Sequence, residues 1–238
     1  MATFRQVMNR VLTNLTEDEI SGSTTEITDT YGRLVRNFIN HIKEEMEDAH
    51  QWRGLQTEID VSVPASAESA DVTGAGDRAR LVRQFDSRYQ GEIPMVFNVT
   101  DADDPFTMVE LDLQELRRRR ELDTTQNYPQ ESGFFALNLT SDGVQLEVYP
   151  TSSQAQTIRC FFVIPQDRFA ADASDLDTEV TVPATPLELG ATWYALEERG
   201  EELGVRSPFS QDRYRAALDA AISRDSAEQG ENIELVAG

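Results

Sequence analysis

The sequence predicts an α+β protein, a helical bundle built from both ends of the chain with an antiparallel β-rich domain inserted between them. Apolar residues recur every three or four positions up to about Gly54 and alternate with polar residues from Leu55. The helical period returns near Thr185. Strands grouped between groups of helices are typical of α+β folds and not of parallel βαβ sheets. The predicted divisions are residues 1–53 plus 183–226 as the helical core, 54–182 as the β-rich insertion and 227–238 as a C-terminal tail.

Two helices are predicted at the N-terminal end. An apolar stripe runs from Phe4 to Leu15, and a longer stripe runs from Ile27 to Ala49 with Phe38 at its middle. Ser23 and Glu26 have the spacing of a capping box, which predicts the start of the long helix. We expect that helix to end near Trp52 and Gly54, with Phe38 in the core.

Two more helices are predicted near the C-terminal end. Thr185 and Pro186 are typical of an N-cap and a first helical position, and the pattern continues to about Leu203, with Gly204 after it. The last helix begins at Ser207 and Pro208 and carries an apolar stripe from Tyr214 to Ile222. The remaining segment, Glu228 to Gly238, holds too few apolar residues to fold alone, so we expect a tail that orders on assembly.

The insertion contains several strand patterns and one short helix. Clear alternation over Leu55–Val63 predicts a half-buried strand, and Pro64–Asp77 is small and polar enough to predict a mobile loop. The segments 134–139 and 144–149 flank an Asp-Gly step, which predicts a hairpin. Further extended runs are predicted at 80–85, 93–99, 106–111, 157–164 and 176–182, with a helix around Leu113 and Leu116.

Charge limits the classes of partner. The 238 residues carry a formal net charge of −22, which disfavours binding to duplex DNA over an open face and to anionic membranes. Lys43 is the only lysine, so nearly all cations are arginines, which pair well with carboxylates. The single cysteine, Cys160, forbids an intramolecular disulfide, and no apolar run is long enough to span a membrane. We therefore expect an intracellular or virion setting.

No constellation of residues predicts catalysis, a cofactor or a metal. One cysteine and two histidines do not provide zinc-site spacing, and His41, Glu45 and His50 are interpreted as a solvated helix flank. The Gly74-Ala75-Gly76 step lacks the remainder of a phosphate loop. Paired carboxylates are too numerous to carry information. The sequence thus predicts no catalytic residue, no cofactor and no metal site, and we expect a protein that is not an enzyme.

The order of elements and several aromatic motifs resemble the head-to-tail adaptor (head-completion, or connector) proteins of tailed bacteriophages. The likeness covers most of residues 3 to 205 and rests on the following segments: the first helix, the Ala49-His50-Gln51-Trp52 end of the second, Asp112–Leu116, Tyr128-Pro129, the hairpin 134–149 closing on Tyr149-Pro150, Phe161–Pro165, the acidic stretch 172–177 and Val182-Pro183-Ala184. The loop at 64–77 and the strong acidity depart from the family pattern.

The resemblance implies a structural protein of the virion neck, assembled in the host cytoplasm. Such adaptors form a ring of about twelve copies under the portal, bind the next tail or neck component and extend the channel through which genomic DNA passes, without contacting a membrane. An acidic channel wall would repel phosphate and let DNA slide. Alternatives are a tail-tube or tail-terminator ring subunit, which would lack the four helices, and a non-viral acidic binding module.

Two sets of residues are candidates for these contacts. For the channel lining we expect acids on either of two helices, Glu44 and Glu45 (with Glu47 and Asp48) or Glu197 and Glu198 (with Glu201 and Glu202). For contact with the portal or a neighbouring subunit we expect the apolar tail residues Ile233, Leu235 and Val236 and the arginine run Arg117, Arg118, Arg119 and Arg120, pointing away from the channel.

Overall fold

The computed structural model describes residues 2–21, 26–76, 78–86, 91–123, 131–140, 143–171, 173–200 and 206–234. These residues form two compact units. Residues up to Leu55 and from Pro165 onward make up a helical unit, and Gln56–Ile164 makes up a β unit. The predicted fold class is confirmed, because helices from both chain ends pack together and mainly antiparallel sheets are inserted between them.

Helix α5 is the centre of the helical unit, since α1, α2 and α6 all pack against it. Gly190 permits the close approach of its neighbours, because a Cβ there would lie 2.8 Å from Ile42 Cγ2 and 3.1 Å from Tyr214 Cδ2. The helices are α1 (Phe4–Asn14), α2 (Thr30–Ala49), α4 (Ala173–Leu176), α5 (Ala184–Glu198) and α6 (Arg206–Glu234), with a 3-10 turn at Arg53–Leu55.

The start of α2 differs from the prediction. The helix begins at Thr30, where the Asp29 carboxylate accepts the N–H of Gly32. The predicted start at the Ser23–Glu26 spacing was wrong for Glu26, which precedes the helix, and Ser23 lies outside the described residues. The helix therefore does begin with a side-chain cap, but the capping residue is Asp29 and not the predicted Ser23.

Helix α5 also begins and ends earlier than predicted. Its N-cap is Pro183, not Thr185, and no side chain caps it. The helix stops at Glu198, and Gly200 follows with φ +74°, a conformation that glycine adopts without strain. The predicted continuation to Leu203 is therefore wrong, and the predicted C′ residue, Gly204, lies outside the described residues.

Residues 165–182 belong to the helical unit, although the sequence placed them in the β-rich insertion. The Phe169 ring stacks on Phe4 at 4.5 Å between centroids, and its backbone exchanges two hydrogen bonds with the Asn40 amide, at 2.9 and 3.0 Å. The predicted strand at 176–182 is reduced to one bridge between Thr3 and Glu179. These contacts bury an extended segment without a sheet.

The β unit is a sandwich of two sheets with α3 on one side. Its first sheet has the strand order β1-β11-β6-β7 with β3 beside β11, its second sheet has the order β2-β10-β9-β8, and β4 and β5 form a separate hairpin. The elements are β1 (Gln56–Val63), β2 (Ser69–Asp71), β3 (Arg80–Leu81), β4 (Arg83–Asp86), β5 (Gly91–Pro94), β6 (Val96–Asn98), β7 (Phe106–Thr107), β8 (Val109–Glu110), α3 (Leu113–Leu122), β9 (Phe134–Thr140), β10 (Gly143–Tyr149) and β11 (Gln156–Val163).

The core of the sandwich confirms the predicted β1 strand and the β9–β10 hairpin. Val61, Ile158 and Phe162 from the first sheet meet Phe135 and Leu146 from the second, all nearly or fully buried. Two features differ from the prediction. The β8–β9 pair is parallel, and the segment predicted as a mobile loop contains β2, which pairs with β10 and is followed by buried Val72 and Ala75.

Candidate functional surfaces

The arginine run lies on α3, which covers the outer face of the second sheet. Arg117 and Arg120 both reach across to Glu147, a residue of β10 whose side chain is only 4% exposed. Arg120 Nη1 lies 2.7 Å from Glu147 Oε2, and Arg120 Nη2 donates to the Val148 carbonyl at 2.8 Å. Two of the four arginines, Arg117 and Arg120, therefore hold α3 against the second sheet of the same chain.

The two guanidinium groups beside Glu147 determine the pKa of its carboxyl. Burial tends to raise the pKa of its carboxyl, but the hydrogen bond from Arg117 and the charges of Arg120 and Arg117 outweigh burial and hold that pKa below its ordinary value. The ionised carboxylate is thus the stable form in the folded unit, and its two guanidinium partners satisfy it.

The other two arginines face outward. Arg119 donates to Glu115 Oε1 at 3.0 Å and lies over the Phe134 ring, 5.2 Å from its centroid. Arg118 approaches the same Glu115 at 3.4 Å, and its side chain is 71% exposed. With a side chain 13% exposed, Arg120 offers little to a partner, whereas the side chains of Arg117 (53% exposed) and Arg118 keep much of their surface open to solvent. Contact of the run with a portal or neighbouring subunit stays a prediction.

The two sets of acids proposed for the channel meet on one surface of the helical unit. The Tyr194 hydroxyl of α5 donates to Glu45 Oε1 of α2 at 3.1 Å. Burial raises the Tyr194 pKa, and the charges of Glu45 and Glu197 raise it further, so both carboxylates lie near the phenol. Tyr214 of α6 has a pKa raised to about 12 by burial and by the same Glu45. Glu45, Glu197 and the tyrosines thus define one acidic patch.

The remaining candidate acids divide into four groups, and Asp48 belongs with Glu198 in the exposed one. Glu198 is exposed beside Glu197. Glu44 points to another flank of α2, where Arg168 holds it in a two-pronged pair at 2.6 Å for both contacts. Glu47 has no exposed surface, so its expected place in a channel wall is wrong. Glu201 and Glu202 lie outside the described residues.

A buried ion pair on α2 is the polar feature that the sequence did not predict. Lys43 Nζ lies 3.1 Å from Glu47 Oε1, and both side chains are 0% exposed. Residue Gln166 completes the arrangement: its carbonyl accepts from Lys43, and its N–H donates to Glu47 at 3.0 Å. The spacing of the only lysine four residues before a glutamate was the one available signal, and this spacing is common on exposed helices.

A polar cluster holds α6 against the end of α2. His50 Nε2 lies 2.9 Å from Asp225 Oδ2, Arg53 Nε lies 3.7 Å from Asp225 Oδ1, and a second guanidinium nitrogen of Arg53 contacts Glu228. A cavity of about 400 Å³ opens beside this cluster, next to Trp52. The Arg53 guanidinium contacts two carboxylates of α6, so the polar cluster chiefly holds α6 against the end of α2.

Helix α6 is longer than predicted. The helix continues to Glu234, whereas the sequence placed its end at residue 226 and a tail from 227 onward. Ile233 therefore lies in the helix and not in an extended tail. Leu235 and Val236, the other apolar candidates, lie outside the described residues.

The cysteine and the acidic side chains of the described residues offer no reactive or metal-binding site. Cys160 is fully buried in the sandwich core, and burial raises the pKa of its thiol to about 12, which makes it unreactive. The described residues hold no cluster of three or more His, Cys, Asp or Glu side chains able to ligate a metal ion. Among the described helices, none combines the length and apolar character needed to span a bilayer.

No protein-family model matches the chain, and no curated protein matches it.

Proposed function

We propose that this protein is the subunit of a head-to-tail adaptor ring in a tailed bacteriophage, placed between the portal and the next tail component. The observation that supports the proposal is the order of elements: helices from both chain ends pack together, and the β sandwich is inserted between them in the sequence, which is the order that the resemblance implies. A tail-tube subunit would lack the helical unit, so the helices in the described part of that unit favour the adaptor over that alternative.

The surfaces of the helical unit support this role. The acidic patch around Tyr194 carries Glu45 and Glu197, with Glu198 beside them. Duplex DNA carries a charge about every 1.7 Å, so a wall of guanidinium groups would hold it as a counter-ion, whereas carboxylates repel it. We assign the acidic patch to the channel wall, which replaces the choice between two separate helices.

Assembly on a portal is the direct test. The protein is mixed with the portal encoded in the same genome, and the particles are imaged by electron microscopy. We expect a closed ring of this chain stacked coaxially on the portal ring, with the portal alone as the control. A chain that stays monomeric and leaves the portal unchanged would support the acidic binding module instead.

The channel assignment has its own test in assembled particles. The double variant Glu45→Gln/Glu197→Gln removes two charges from the acidic patch, and we expect slower DNA ejection from particles of normal composition. A matched control, Asp18→Asn/Glu92→Gln, removes two exposed charges elsewhere and should eject DNA at the wild-type rate. Ejection is followed by a dye that fluoresces on released DNA. Equal rates for both variants would contradict the assignment.

A further inference from the structure

The β unit presents two different outer faces, one on each side of its core. On the second sheet, α3 turns a set of exposed side chains to solvent, named here the arginine face: Gln114, Arg117, Arg118, Glu121 and Leu122. On the first sheet, the strand register turns a second set outward, named here the acidic face: Glu58, Asp60, Phe97, Arg159 and Phe161.

The acidic face combines carboxylates with an aromatic surface. Arg159 is shared between Asp60 Oδ1 at 2.9 Å and Glu58 Oε1 at 2.8 Å, so two carboxylates face one cation. Both carboxylate side chains are nearly half exposed. Beside them, Phe97 and Phe161 meet edge to face with centroids 6.1 Å apart, and both are partly exposed. This face therefore accepts cations and apolar groups together.

The arginine face has the complementary composition. Arg118 is 71% exposed and shares Glu115 with Arg119, so two cations face one carboxylate there. Leu122 is 66% exposed and lies one helical turn beyond Arg118, which places an apolar group beside the guanidinium. Guanidinium groups bind carboxylates in two-pronged pairs and stack on aromatic rings.

We propose that the arginine face of one copy of this chain docks on the acidic face of the next copy. Arg118 and Arg117 then contact Glu58 and Asp60, and Leu122 covers the Phe97–Phe161 pair. The two faces differ and lie on opposite sides of one sandwich, so the contact is head-to-tail and leaves a free face at each end. This inference deepens the proposed function, because a head-to-tail contact is what a ring requires.

Cross-linking of the full chain tests the contact. Ser62→Cys lies on the outer side of β1 near the acidic face, and Glu121→Cys lies on the arginine face; both positions are exposed. With a short bis-maleimide at physiological salt, the double variant should give a ladder of dimers, trimers and larger species. Each single variant should yield little cross-linked product, because a head-to-tail contact brings position 62 of one copy to position 121 of the next. Cys160 is buried in every variant, so wild-type protein should remain uncross-linked.

Two controls separate this contact from chance collisions. The double variant Glu121→Cys/Asp219→Cys carries the same number of exposed thiols but lacks the thiol near the acidic face, and it should give no ladder. In the Ser62→Cys/Glu121→Cys background, Arg118→Glu should lower the rate of cross-linking about tenfold, and adding Glu58→Arg should restore it. Circular dichroism confirms that each variant is folded.

The outcomes distinguish this contact from the adaptor function. The head-to-tail contact is overturned if Ser62→Cys/Glu121→Cys gives no more large species than the Glu121→Cys/Asp219→Cys control. It is also overturned if Arg118→Glu leaves the rate of cross-linking unchanged. Both conclusions hold even if rings form on the portal. Efficient dimers from Glu121→Cys alone would indicate a symmetric contact and would also overturn it. A charge-dependent ladder without a ring on the portal upholds the contact and contradicts the adaptor function.

Discussion

Replacing Glu47 with alanine is expected to lower the free energy of unfolding of the helical unit by about 3–5 kcal/mol. The Lys43 ammonium would stay fully buried without its carboxylate, and the N–H of Gln166 would lose its acceptor. Burial of an uncompensated charge is among the few single changes that cost this much. Urea unfolding followed by circular dichroism measures the loss.

Two variants on the same helix make the result interpretable. Glu45→Ala removes an exposed carboxylate that contacts Tyr194 and His41, and we expect it to cost less than about 1 kcal/mol. Lys43→Met/Glu47→Leu removes both buried charges, and we expect it to recover most of the loss, because a buried ion pair contributes little beyond an apolar pair. A loss below about 1 kcal/mol for Glu47→Ala would contradict the burial of this pair.

The long helix shows what sequence periodicity can and cannot predict. The stripe through Val35, Ile39, Ile42 and Met46 was predicted and is fully buried. Phe38, expected in the core, is only partly buried, with its ring 6.1 Å from Tyr194. Substitution of Phe38 by alanine would therefore measure packing at the edge of the buried face of α2 and not packing in the core.

Polar residues fill the space on the other side of that stripe. Asn40, Lys43 and Glu47 are buried because Gln166 and Phe169, more than a hundred positions away, supply their partners. The period of the apolar residues predicts which apolar side chains are buried. It cannot predict the burial of polar side chains whose hydrogen-bond partners are backbone groups far away in the sequence. The same distant segment explains why the boundary predicted at residue 182 lies at Ile164.

In the β unit too, some features were predicted from the sequence and others were not. Alternation in β1 predicted its inward face, because one side of the strand is apolar, and the Asp-Gly step predicted the β9–β10 hairpin. Strand β2 was missed, since Ser69, Ala70 and Asp71 carry no strand signal and are held by pairing with β10. Glu147 reads as solvent-facing from its alternation with Leu146 and Val148, but α3 covers that side of the sheet.

Substitution of Glu147 by glutamine is expected to destabilise the β unit by about 2–4 kcal/mol at neutral pH. A neutral amide cannot balance Arg117 and Arg120, and Arg120 is largely buried with it. Glu115→Gln is the matched control, because its pairs with Arg118 and Arg119 lie in solvent. We expect that control to change stability much less, and its effect to fade as salt is raised.

The pH dependence of this effect follows from the lowered pKa of Glu147. A carboxyl whose pKa is lower in the folded state than in the unfolded state adds stability above its unfolded value, which is ordinarily 4.5 for glutamate. That stability is lost as the pH falls through the folded value, because the carboxyl then takes up a proton. The difference between wild type and Glu147→Gln should therefore be constant above about pH 6 and shrink below pH 4.5. Urea titrations at a series of pH values measure it, and a difference that persists unchanged into the acid range would mean that the charge of Glu147 does not hold α3 on the sheet.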